Sequence, residues 1–155
     1  MKRLRVLAIA AATGRIGHVF LIGEQLLDWG LSRKASKSPE LAATHTQKLI
    51  EALKPDVVVS EDISNSSTKS SRTRQLIDAI ARVAEKATLL DISMKAAHTF
   101  ANKYEEATHL ASRYPEIAAW VPKPRRIWKS EPRNTVLFEA LFLGSAVIDE
   151  EPKLQ

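Results

Sequence analysis

Apolar and polar positions group along this chain in short blocks, and the first three have the spacing of strands. Residues 6–12 are wholly apolar and begin with a β-branched Val6, the pattern of a buried central strand. Thr13-Gly14 breaks the run, and residues 16–22 read as a second strand. Gly23-Glu24 turns the chain again, and residues 25–31 read as a third strand with Asp28 and Trp29 near its end. Three consecutive strands joined by tight turns predict an antiparallel meander.

The spacing then becomes helical. Residues 32–38 form a basic, Ser-rich loop. Ser38-Pro39 is a good cap and first-turn pair, and Glu40 suits the positive end of a helix dipole. Leu41, His45, Leu49 and Leu53 follow at helical spacing, and Pro55 ends the helix. Residues 56–61 read as a buried strand that ends in acid. Residues 63–74, rich in Ser, Thr, Asn, Lys and Arg, read as a flexible loop. Leu76, Ile77, Ile80, Val83 and Ala84 mark one face of an amphipathic helix over 75–86. A short strand is expected over 88–92. Ser93 then caps a helical region reaching about 113, with a break near Asn102. Residues 115–128 carry Arg125-Arg126 among prolines and tryptophans and read as a loop. Asn134 caps a last helix to about 148. The order β-β-β-α-β-α-β-α-α predicts a mixed α/β sheet flanked by helices.

Composition narrows the class. At 155 residues one domain is expected, spanning 1–150 with a short tail at 151–155. Apolar residues at 45% and charged ones at 26% exclude a disordered tail, a collagen-like fibre and a disulfide-stapled miniprotein. The chain has no cysteine, which excludes disulfides, thiolate zinc sites and cysteine nucleophiles. It also fits a reducing compartment, so a cytoplasmic location is expected. The basic start reads as the lead-in to a strand rather than as a secretory leader. No run approaches the ~20 apolar residues of a membrane span.

Charge points toward nucleic acid. The net charge is +5. Lys34, Lys37, Lys69, Arg72, Arg74, Lys123, Arg125, Arg126, Lys129 and Arg133 all fall in expected loops or loop-to-helix junctions.

Two acidic positions stand out. Glu61-Asp62 closes the strand of Val57, Val58 and Val59, and ligands collect at the carboxyl ends of strands in α/β sheets. An acid there holds a metal, acts as a base, or is simply solvated. Glu139 lies in a helix that is apolar nearly all round. A buried carboxylate needs a partner, a metal or a proton, unless it takes the helix's one solvent-facing position. Other chemistries fare worse. The segment 12–17 lacks a Gly-rich phosphate-loop pattern. His18, His45, His98 and His109 are scattered, and His45 is expected on a helix surface. Ser60 has no His-acid relay nearby in sequence.

Several short motifs carry a resemblance. They are residues 6–10 with Gly17 in the first hairpin, Leu27-Asp28-Trp29-Gly30, the segment 54–62, and Phe138-Glu139-Ala140-Leu141. In this order the chain resembles the RuvC-type Holliday-junction resolvases, of ribonuclease H-like fold. The resemblance is weakest over about 95–133. It implies acids on the first strand, at the end of the fourth strand and in the last helix, which together bind two Mg²⁺ ions (Mn²⁺ can substitute). Two such metals activate a water and stabilise the leaving oxygen in phosphodiester cleavage. Carried over by position, Glu61 is the strand-four acid with Asp62 beside it, and Glu139 is the last-helix acid. The first-strand acid falls at Ala10 and is absent. Val136 stands where a second acid often precedes the last-helix position. Asp28 and Glu24 are expected to lie too far away to replace them.

The resemblance further implies branched DNA as partner and a homodimer. Lys69, Arg72, Arg74, Arg125, Arg126 and Lys129 would neutralise phosphates, and Trp128 would stack on an unpaired base. Three readings follow: a Mg²⁺-dependent endonuclease with an altered ligand set, a catalytically dead relative that keeps the DNA surface, and a non-catalytic protein-interaction subunit on the same scaffold. The alanine at position 10 favours the second.

Overall fold

The structure is a computed structural model and describes residues 3–61, 69–87, 90–94, 103–121 and 135–149. The meander is present as β1 (Arg5–Ala12), β2 (Arg15–Ile22) and β3 (Gln25–Ser32). Gly14 and Gly23 take the left-handed backbone conformation that two-residue hairpin turns demand, at φ 81° and 56°. A short 3₁₀ turn (Lys34–Lys37) leads into α1 (Pro39–Leu53), then β4 (Val57–Glu61), α2 (Ser71–Lys86), β5 (Leu90–Met94), α3 (Lys103–Arg113), a 3₁₀ turn (Pro115–Trp120) and α4 (Thr135–Asp149). No helix among the described residues is long and apolar enough to cross a membrane.

The strands form one five-stranded sheet in the order β3-β2-β1-β4-β5. β1 pairs antiparallel with β2 and parallel with β4, and β4 pairs parallel with β5. β1 is therefore central and buried on both faces, as its unbroken apolar run requires. Its side chains alternate between two cores. Val6, Ala8 and Ala10 join Val19, Leu21, Val57 and Val59 against α3 and α4. Leu7, Ile9 and Ala11 join Ile16, Phe20 and Val58 against α1 and α2. This period of two decides which face each functional residue takes.

Close approach fixes α4 against the sheet. A Cβ on Gly17 would come within 3.0 Å of the Val136 carbonyl oxygen, and one on Gly144 within 2.9 Å of Leu21. The small side chains of Ala8 and Ala10 line the same face.

Several boundaries differ from the sequence reading. α2 starts at Ser71 rather than 75, because the Ser70 hydroxyl accepts from the Thr73 amide at 3.2 Å and caps the helix. Arg72 and Arg74 thus sit in a helix's first turn, not on a loop. Ser93 lies inside β5 rather than capping a helix, and the helix expected there is described only from Lys103. The basic segment after β3 holds a 3₁₀ turn, tied down where the Ser36 hydroxyl donates to the Arg33 carbonyl at 2.7 Å. The expected tail at 151–155 lies outside the described residues.

Candidate nucleic-acid-binding site

The sheet register defines the site. Ala8 on β1 pairs with Val59 on β4, so the same register carried on by two residues sets Ala10 level with Glu61. Val57 and Val59 face α4, and alternation turns Glu61 to that side too, at the strand's carboxyl end. Glu139 lies on α4, the helix packed over β1 and β2. Three positions far apart in sequence thus meet at one end of the sheet: an alanine and two glutamates.

A lysine joins them. The Lys69 ammonium lies 2.8 Å from Glu61 Oε2 and 3.0 Å from Glu139 Oε2. It also donates to the Ala11 carbonyl oxygen at 2.7 Å. These oxygens match the three N–H donors of an ammonium. Lys69 and both glutamates have side chains about 15% exposed, so the group is largely shielded from solvent. Glu139 therefore has the partner that its apolar helix called for. Lys69, read from the sequence as a phosphate contact, turns inward to two carboxylates instead. The helix cap that starts α2 at the next residue, Ser70, holds it there.

Next along the chain from Ala11 and Lys69, Ala12 and Ser70 help to line an open pocket of about 270 Å³ together with Thr13, Gly14, Arg33, Ser36, Lys37, Arg72 and Thr73. Arg72 Nη2 donates to the Lys37 carbonyl at 3.2 Å, which links the first turn of α2 to the 3₁₀ turn. The first turn of α2 carries no acid. Arg33, Lys37 and Arg72 all have exposed side chains there. Cationic side chains around a helix N-terminus suit a phosphate. Arg33 was not singled out in the sequence, and Thr13-Gly14 stood out there only as a turn. The cue was the density of basic residues in 32–38, but their approach to α2 is a tertiary fact. Asp62, Arg125, Arg126, Trp128 and Lys129 lie outside the described residues.

The histidines are less scattered than the sequence suggests. His18 Nε2 and Asp28 Oδ2 lie 3.0 Å apart across β2 and β3. The His45 ring meets His18 edge-on at 6.2 Å, so His45 is half-buried rather than on the surface. Its pKa is lowered, first by burial and then by His18 and Lys48. Gly30 lies opposite, where a Cβ would stand 2.9 Å from His18 Cε1 and the ring would have to shift. Asp28 and Glu24 are engaged away from the glutamates: Asp28 with His18, Glu24 with Arg113 at 3.2 Å.

A site for two Mg²⁺ ions needs several hard oxygen donors around each ion. Here two carboxylates converge, an ammonium already stands between them, and the third position is Ala10. Among the described residues no three His, Asp or Glu side chains cluster to hold a metal. These residues do not fit a two-metal centre.

No protein-family model and no curated protein sequence matches this chain. Solved structures do. The Thermus thermophilus RuvC structure superposes with a TM-score of 0.69 at 14% identity, over 97% of this chain and 96% of that one. A fowlpox virus resolvase in complex with substrate Holliday junction DNA gives 0.65 at 11% identity, over 96% and 99%. The yeast mitochondrial Holliday junction resolvase gives 0.62 at 11% identity, over 99% and 82%. The chain thus has the RuvC-type, ribonuclease H-like fold that its motifs resemble.

Proposed function

We propose that this chain binds branched DNA on a resolvase-type scaffold and does not cut it. The observation that carries this reading is the composition of the sheet end where Ala10, Glu61 and Glu139 meet. Ala10 stands level with Glu61, and the Glu61–Glu139 pair closes on the Lys69 ammonium. Phosphodiester hydrolysis by two metals would need more oxygen donors than the described residues bring together here. The DNA reading is supported by the fold and by the cationic pocket of Arg33, Lys37 and Arg72. It is further supported by two structural neighbours, the fowlpox virus resolvase and T. thermophilus RuvC, whose structures are complexes with Holliday junctions. Mg²⁺ has no catalytic step in this proposal. The homodimer implied by the resemblance would present two such surfaces, and the mass in solution by light scattering tests it.

The interaction-subunit reading calls for a broad exposed apolar patch. Among the described residues the large exposed hydrophobics are Leu27, on β3, and Trp120, on the second 3₁₀ turn. They do not favour it.

The direct test is binding of labelled four-way junction and of linear duplex across a salt series. The expected result is tighter binding to the junction, with log affinity falling linearly in log salt. Arg72→Ala should weaken it, with a slope shallower by about 0.9, the loss of one phosphate contact. Affinity that ignores salt, or no preference for the junction, would overturn the proposal.

A further inference from the structure

We infer that the Lys69 ammonium is a built-in cation that permanently occupies the position between Glu61 and Glu139 and closes it to divalent ions. Two carboxylate oxygens within 3.0 Å of one nitrogen would repel each other strongly without a cation between them. A metalloenzyme meets that need with a bound ion, whereas this chain meets it with its own side chain. The ammonium's third bond, to the Ala11 carbonyl, ties it to the central strand next to Ala10. Like a hard metal ion it is held by oxygens, and the cap residue of α2, Ser70, follows it directly in the chain.

Charge balance links this lysine to the alanine. Two carboxylates around one ammonium leave a single net negative charge. An acid at position 10 would add another negative group to a cluster whose only cation among these groups is monovalent. Ala10 and Lys69 are therefore mutually consistent: no carboxylate stands at position 10, where the cluster's ammonium is a monocation. On this inference the Glu61–Lys69–Glu139 contacts form without a divalent metal. This goes beyond the DNA-binding reading and does not require it, because the readout is ion binding by the free protein.

The experiment uses the full chain without DNA. Mn²⁺ binding is followed by the loss of the free-ion electron paramagnetic resonance signal, and thermal unfolding is followed with and without Mn²⁺. The unmodified protein should bind no Mn²⁺ at the cluster and show no shift in its unfolding midpoint. Lys69→Ala, and more strongly Ala10→Asp combined with Lys69→Ala, should gain one Mn²⁺ site. Its midpoint should rise by about 5–10 °C once the ion exceeds its Kd about 100-fold. Saturable Mn²⁺ binding by the unmodified protein, abolished by Glu61→Gln or Glu139→Gln, would overturn the inference, and that measurement decides even if the lysine variants fail to fold. Folded lysine variants that gain no Mn²⁺ site would overturn it equally. Either failure leaves the junction-binding test untouched.

Discussion

Replacing Lys69 by Met would leave Glu61 and Glu139 facing each other in a cluster only about 15% exposed. Breaking a shielded ion pair from one side leaves uncompensated charge, and the expected loss of stability is about 3 kcal/mol. Adding Glu61→Gln to Lys69→Met should recover part of that loss, because it removes the repulsion; a urea-unfolding double-mutant cycle measures the coupling. His45 gives a second prediction at this scale. Burial, then His18 and Lys48, lowers its pKa from the ordinary 6.5. The folded chain therefore holds His45 neutral at pH values where the unfolded chain protonates it. Its contribution is complete above about 6.5 and is lost as pH falls through the folded value. His45→Gln should flatten the acid-side loss of stability, seen as a smaller pH dependence of the unfolding midpoint below 6.5. Single residues were unevenly legible in the sequence. Glu139 stood out because a carboxylate in an apolar helix demands a partner. The partner did not, since Lys69 is 70 positions away and sits in a segment whose composition reads as solvated loop.

At the scale of elements, the meander was legible because Thr13-Gly14 and Gly23-Glu24 are strong turn signals. β4 was legible from its unbroken valines. The start of α2 was not: Arg72, Thr73 and Arg74 have loop-like composition, and the Ser70 cap overrides it. That cap does two jobs, starting α2 and fixing the chain next to Lys69. Ser70→Ala should cost about 1 kcal/mol by loss of the cap. The packing of α4 gives another test. Ala at Gly17 would press against the Val136 carbonyl at 3.0 Å, where backbone rather than a flexible side chain must yield. We expect a destabilisation of about 1–3 kcal/mol, measured by chemical denaturation.

For the whole molecule, the mixed sheet and the position of its functional end follow from element order and strand alternation. Glu61 was legible as an acid at a strand's carboxyl end, whereas its meeting with Glu139 was implied only by the family resemblance. The groove of Arg33, Lys37 and Arg72 was not legible in the sequence, because it forms only when the 3₁₀ turn after β3 meets the first turn of α2. The molecule that results pairs a cationic groove with a nearby acidic pair bridged by a lysine, and the proposal of junction binding without cleavage rests on that pairing. The most direct test incubates the unmodified protein with a labelled four-way junction in EDTA, in Mg²⁺ and in Mn²⁺, scoring binding and strand cleavage in the same samples. The account predicts equal binding at matched ionic strength in all three and no cleavage in any. Metal-dependent cleavage that Glu61→Gln abolishes would contradict it.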